Sequence, residues 1–145
     1  MKIIVINGPN LNMLGKREPQ IYGYKTLDDI NQEIKEAAPA DVILEFFQSN
    51  YEGAIIDKIH NTDADAIIIN AGAYSHYSYA IYDALKCVNI PKYEVHMSDI
   101  YKREEVFRHI SVLTPACEKI FYGKGVNSYI EAVLAAYERG QQKCK

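Results

Sequence analysis

Glu94 and His96 sit two residues apart in the run Tyr93-Glu94-Val95-His96. In an extended chain alternate side chains point the same way, so the carboxylate can orient the imidazole and favour its protonated form. Such a pair suits general acid catalysis, and a hydrogen-bonded core pair accounts for the same residues. A second candidate is the phenol of Tyr22, a poor base at an unperturbed pKa of about 10. A guanidinium such as that of Arg17 stabilises the phenolate and draws that value towards neutrality. The stretch Asn70-Ala71-Gly72-Ala73-Tyr74-Ser75-His76 runs from a strand end into a helix start, where free backbone N–H groups favour an anion.

For these groups to meet, the chain must bring them to one edge of a sheet. Short apolar runs at residues 2–7, 42–48, 66–70, 93–96 and 119–122 alternate with amphipathic stretches, the pattern of β-α units on a parallel sheet covered on both faces. Residues 66–70, Ala-Ile-Ile-Ile-Asn, are apolar on both faces, as a central strand requires. Helices are expected over 26–38, opened by Thr-x-x-Asp and closed by Pro39, and over 52–60, 78–88 and 126–139, the last stopped by Gly140. Five parallel strands favour a flavodoxin-like three-layer α/β sandwich of strand order 2-1-3-4-5, with ligands outside the carboxyl ends of strands one and three. Asn7, Asn10 and Asn12 follow strand one, Asn70 closes strand three, and Glu94, His96 and Ser98 end strand four. That position favours the catalytic reading of Glu94 and His96.

The connection from Gly8 to Tyr24 is far longer than an ordinary βα loop. It reads either as a lid carrying Lys16, Arg17 and Tyr22 over the strand ends or as a passive surface loop. A Walker loop and a dinucleotide glycine fingerprint are both missing, which weighs against a nucleotide- or flavin-binding module.

The chain has 145 residues, 48% hydrophobic and 24% charged, enough for one domain spanning 1–145. With a net charge of −3 and interspersed signs no basic stripe is visible, and nucleic acid is not an expected partner. The apolar run at the start stops at Asn7-Gly8-Pro9, too short for a membrane span or signal segment, so a cytoplasmic protein is expected. The 3 cysteines, Cys87, Cys117 and Cys144, have no metal-type spacing and read as reduced thiols. Of the 12 tyrosines several, Tyr74, Tyr77, Tyr79 and Tyr82, crowd one segment, a composition suited to packing or a subunit interface.

Several motifs extend this reading. Asn7-Gly8-Pro9-Asn10-Leu11-Asn12 and Gly15-x-Arg17-Glu18-Pro19-x-Ile21-Tyr22-Gly23 resemble the opening signature of type II 3-dehydroquinate dehydratases. Gln48-Ser49-Asn50-x-Glu52-Gly53, Asn70-x-Gly72-Ala73-Tyr74-Ser75-His76, Asp83-Ala84-Leu85 and Glu94-Val95-His96-x-Ser98 follow in the family's order, so the resemblance covers nearly the whole chain.

The resemblance implies dehydration of 3-dehydroquinate to 3-dehydroshikimate, a step of the shikimate pathway of aromatic biosynthesis. The implied reaction is an anti elimination through an enolate, with no Schiff base, metal or cofactor. By the same resemblance Tyr22 is the base, Arg17 tunes it, and Asn10 holds a water at the enolate oxygen. His96 is the acid, and Glu94 holds it. Asn70, Ser98 and the Met97 backbone bind the substrate, the latter two at its carboxylate. His76 and Arg108 meet ring hydroxyls, with Arg103 as the alternative arginine, and Asp83 comes from a neighbouring subunit of a dodecamer built from four trimers. Departures fall at Ala71 for Pro, Tyr82 for Arg, Asp99 for Asn, Ser128 for Gly, and one extra residue between Arg103 and Arg108.

Overall fold

Strand β1, Lys2–Asn7, sends Ile3 and Val5 to one side and Ile4 and Ile6 to the other, and all four are fully buried. Apolar side chains on both faces make a strand that water cannot reach, which places it in mid-sheet between helical layers. β3, Ala66–Asn70, repeats the pattern, with Ala66 and Ile68 facing one layer and Ile67 and Ile69 the other. The computed structural model of the chain describes residues 1–16 and 18–145, apart from the side chain of Tyr22.

With β2 (Ile43–Gln48), β4 (Lys92–His96) and β5 (Lys119–Tyr122), the strands form one parallel sheet of order β2-β1-β3-β4-β5, as expected. A short α1, Pro19–Tyr22, lies in the long first connection. Helices α2 (Leu27–Ala37) and α5 (Val126–Lys143) cover the face of Ile3, Val5 and Ile68. Helices α3 (Glu52–His60) and α4 (Tyr79–Cys87) cover the face of Ile4, Ile6, Ile67 and Ile69. Burying these large aliphatic side chains stabilises the fold by roughly 1.5–3 kcal/mol each.

Helix boundaries follow local chemistry. Thr26 and Asp29 make a full capping box: the Thr26 hydroxyl accepts the Asp29 N–H at 3.2 Å, and the Asp29 carboxylate accepts the Thr26 N–H at 2.9 Å. One boundary differs from the sequence expectation. Gly140 does not stop the last helix, which continues to Lys143. A Cβ at Gly140 would stand 2.8 Å from the Met1 sulfur, so the Met1 side chain packs against the helix at this point. Among the described residues no helix is long and apolar enough to cross a membrane.

Candidate active site

The parallel register sets Gln48, Asn7 and Asn70 side by side at the carboxyl edge of the sheet. Asn7 and Asn70 share the parity of the residues facing α5, and α5 answers with Tyr129, which is fully buried. The Tyr129 hydroxyl donates to Asn7 Oδ1 at 2.6 Å and accepts from Asn70 Nδ2 at 2.8 Å. Burial pushes the phenol pKa up, so the hydroxyl stays neutral and can do both. Asn70 Oδ1 accepts the Gly72 N–H at 3.2 Å, which fixes the orientation of the amide. Above this pair the chain leaves β1 through Gly8, whose N–H donates to the Asn70 carbonyl at 2.8 Å. A Cβ there would lie 2.3 Å from the Ala71 carbonyl oxygen, so only glycine permits the approach.

Next to this edge is a cleft. Pro9 and Leu11 line it from the β1 side, Asn70, Gly72, Ala73 and His76 from β3, and His96, Met97, Ser98, Ile100, Arg103 and Arg108 from β4 and beyond. The structure therefore gathers Asn70, His76, His96, Met97, Ser98 and Arg108, and it includes Arg103 as well as Arg108. The cleft is lined from the carboxyl ends of β1 and β3, where the strand order puts a ligand, and reaches on past the end of β4. At the ends of β1 and β3, Asn7 and Asn70 are bridged by Tyr129, and a 3-10 turn at Leu11–Met13 follows β1.

Glu94 is fully buried and His96 nearly so. His96 Nε2 lies 2.7 Å from Glu94 Oε1, so the ring donates through Nε2 and Nδ1 is the nitrogen left for a ligand. Glu94 also accepts from the Ser111 hydroxyl at Oε1 and from the Thr114 hydroxyl at Oε2, the latter at 2.5 Å. Burial works to raise the Glu94 pKa, but the imidazole and the two hydroxyls outweigh it and hold the carboxyl below its ordinary range. The group is thus a buried anion with three donors.

His76 faces His96, with near-parallel rings and centroids 6.3 Å apart. Its Nδ1–H donates to the Ile110 carbonyl at 2.7 Å, since a carbonyl only accepts, and this leaves Nε2 free as an acceptor. Burial lowers the His76 pKa, partly offset by that bond, which favours a neutral ring suited to accept from a hydroxyl.

Arg103 Nη1 donates to Ser98 Oγ at 3.4 Å, and its guanidinium lies within 4.0 Å of both Glu18 and Glu105. Arg108 Nε is 3.2 Å from Glu105, and its guanidinium stands 4.8 Å from the Phe107 ring centre. Two guanidiniums beside Ser98 and two imidazoles suit a small anionic ligand carrying hydroxyls.

Asn10 is exposed and left-handed, with φ 68°; its N–H donates to Asn50 Oδ1 at 3.0 Å, beside the cleft but not lining it. Asp83 is exposed on α4, away from the cleft of its own chain. The roles expected for Arg17 and for the Tyr22 phenol lie outside the described residues. Sequence reasoning missed Tyr129, Ser111, Thr114 and His109, whose Nε2–H donates to the Arg103 carbonyl at 2.6 Å. The signal for Tyr129 was a polar-tipped aromatic on the buried face of the helix opposite two strand-end asparagines. Ser111 and Thr114 lie in irregular chain and carry no periodic signal.

Comparison with known proteins gives one family. The model described as dehydroquinase class II matches residues 1–137. The 3-dehydroquinate dehydratase of Caldicellulosiruptor bescii is 56% identical over 141 residues, covering 94% of this chain and 97% of the relative. That of a Nitratiruptor species is 51% identical over 145 residues, covering 98% and 92%. Among solved structures, a type II dehydroquinase from Butyrivibrio crossotus superposes with a TM-score of 0.90 at 49% identity, covering 94% of this chain and 97% of that one. One from Propionibacterium acnes gives 0.88 at 39% identity, covering 94% and 96%.

Proposed function

Because this chain belongs to the dehydroquinase class II family, we propose that it dehydrates 3-dehydroquinate to 3-dehydroshikimate in the shikimate pathway. The observation that carries the reading is the Glu94–His96 pair, buried at the edge of a cleft that also presents His76, Ser98 and two arginines.

In this reading the Tyr22 phenolate, stabilised by the Arg17 guanidinium, takes the proton from C2. The electron pair moves into the ketone, and a water held by Asn10 meets the enolate oxygen, where charge exists only during reaction. When the enolate collapses, C1 loses its hydroxyl on the opposite face, and His96 supplies the proton that makes it water. Nε2 is occupied by Glu94, so the proton leaves from Nδ1. The atoms balance: one hydrogen from C2 and one hydroxyl from C1 depart as water, and a C1–C2 double bond forms. No imine with a lysine is needed. Ser98 and the Met97 backbone hold the substrate carboxylate, Asn70 the ring, and His76 with Arg103 or Arg108 the ring hydroxyls. Asp83 completes a neighbour's site in a dodecamer of four trimers, and the enzyme works in the cytoplasm.

The test is to add 3-dehydroquinate and follow the ultraviolet absorbance of the conjugated enone carboxylate. Product formation is expected in wild type and is expected to survive borohydride treatment in the presence of substrate. Tyr22→Phe should lower kcat by at least about 100-fold with the fold intact. No absorbance change with wild type would overturn the assignment, and near-normal turnover by Tyr22→Phe would remove the base from the scheme.

A further inference from the structure

Between His109 and the last strand, residues 110–114 form a strap that holds both His76 and Glu94. The Ile110 carbonyl accepts from His76 Nδ1. The Val112 N–H donates to the Ser75 carbonyl at 2.8 Å, fixing the strap to the loop that carries His76. Ser111 Oγ accepts the Leu113 N–H at 3.2 Å, so its own hydrogen is directed to Glu94 Oε1. Thr114 Oγ1 donates to Oε2 at 2.5 Å. Both carboxylate oxygens thus have a hydroxyl from the strap, and the imidazole takes the remaining direction on Oε1.

We propose that Ser111 and Thr114 are positioning residues of the reaction, two hydroxyls that fix the Glu94 carboxylate as an oriented anion and, through it, set the ring and the proton of His96. A fully buried carboxylate with one donor is a poor anion and free to rotate; with three donors it has a single orientation and a favoured charge. The role given to His96 rests on the function proposed above, whereas the hold on Glu94 does not.

Among the described residues, the titratable groups around Glu94 are His96 on its own strand, His76 from the loop after β3, Tyr101 from the turn after β4, and Cys117 ahead of β5. Burial keeps Cys117 and Tyr101 protonated around neutral pH, the Cys117 thiol being pushed up to about 12, so the hydroxyls and His96 are what oppose burial at Glu94.

The test uses Thr114→Val, which keeps the shape and removes the hydroxyl, Ser111→Ala, and Thr114→Ser, which restores the hydroxyl. Carbon-13 NMR of the Glu94 carboxyl reads its titration without substrate. The midpoint is expected to move to higher pH in Thr114→Val and in Ser111→Ala, and to stay at the wild-type position in Thr114→Ser. With 3-dehydroquinate, Thr114→Val should lose about tenfold in kcat with KM within about twofold, the size of one charge-assisted hydrogen bond. The acid limb of its kcat/KM profile should follow the NMR midpoint upwards. If Ser111→Ala does not fold, because it also frees the Leu113 N–H, the threonine pair decides alone. An unmoved Glu94 midpoint in Thr114→Val overturns the proposal. A shifted midpoint with wild type inactive on 3-dehydroquinate would leave the strap's hold on Glu94 standing and overturn the proposed function instead.

Discussion

Removing the Tyr129 hydroxyl should unlock the two asparagines at the centre of the sheet edge. Tyr129→Phe leaves the ring in place and opens no cavity around it. It deletes the acceptor of Asn70 Nδ2 and the donor to Asn7 Oδ1, 2.8 and 2.6 Å away. Asn7 is 1% exposed, Asn70 4% and Tyr129 0%, so water cannot readily replace the lost partner. Each buried group left unpaired costs ~1–3 kcal/mol, and relief of the desolvated hydroxyl offsets part, so a net loss of about 2–4 kcal/mol is expected. Urea unfolding should show a lower midpoint at unchanged slope, which reports stability rather than a change in the unfolded chain. With only the Gly72 N–H left to hold it, the Asn70 amide is less firmly placed in the cleft, so KM for 3-dehydroquinate should rise more than kcat falls. A stability loss below about 0.5 kcal/mol with an unaltered KM would refute the bridge as a positioning device.

Gly8→Ala drives a methyl group into the Ala71 carbonyl and should cost at least about 3 kcal/mol, read as a lower melting temperature or as failure to accumulate folded protein. One of Arg103→Ala and Arg108→Ala should raise KM about tenfold with a smaller effect on kcat, and steady-state kinetics that leave KM at the wild-type value in both would remove the arginines from the binding set. On acidification the protein should lose stability, since His76 and Glu94 both have folded pKa values below their ordinary ones. Their stabilisation is complete above the unfolded pKa of each and is lost as pH falls through the folded one. The His76 part should therefore go first, just below the imidazole range, and the Glu94 part below the carboxylate range. Thermal melts across pH should show this decline in wild type, and a flatter curve over the upper part of the window in His76→Asn.

The amino-acid sequence by itself determined the sheet and its layers. Continuous apolar runs such as Ile3 to Ile6 and Ile67 to Ile69 are short, β-branched and bounded by polar residues, which marks them as central strands buried on both faces. It also determined that Glu94 and His96 share a strand face, because parity along a strand is local, and it collected Asn70, His76 and Ser98 at the carboxyl edge. Only the tertiary structure decided what depends on contacts between distant segments. Tyr129 lies 122 residues from Asn7 and meets it across α5 and β1. Ser111 and Thr114 come from chain with no period, so nothing local marks them as partners of Glu94. Gly140 reads as a helix stop by residue type, yet the helix runs on to Lys143, with Met1 packed against it at this point. Both Arg103 and Arg108 line the cleft, Arg103 after the short turn at Ile100–Lys102 and Arg108 within that at Val106–His109, a path that spacing alone could not fix.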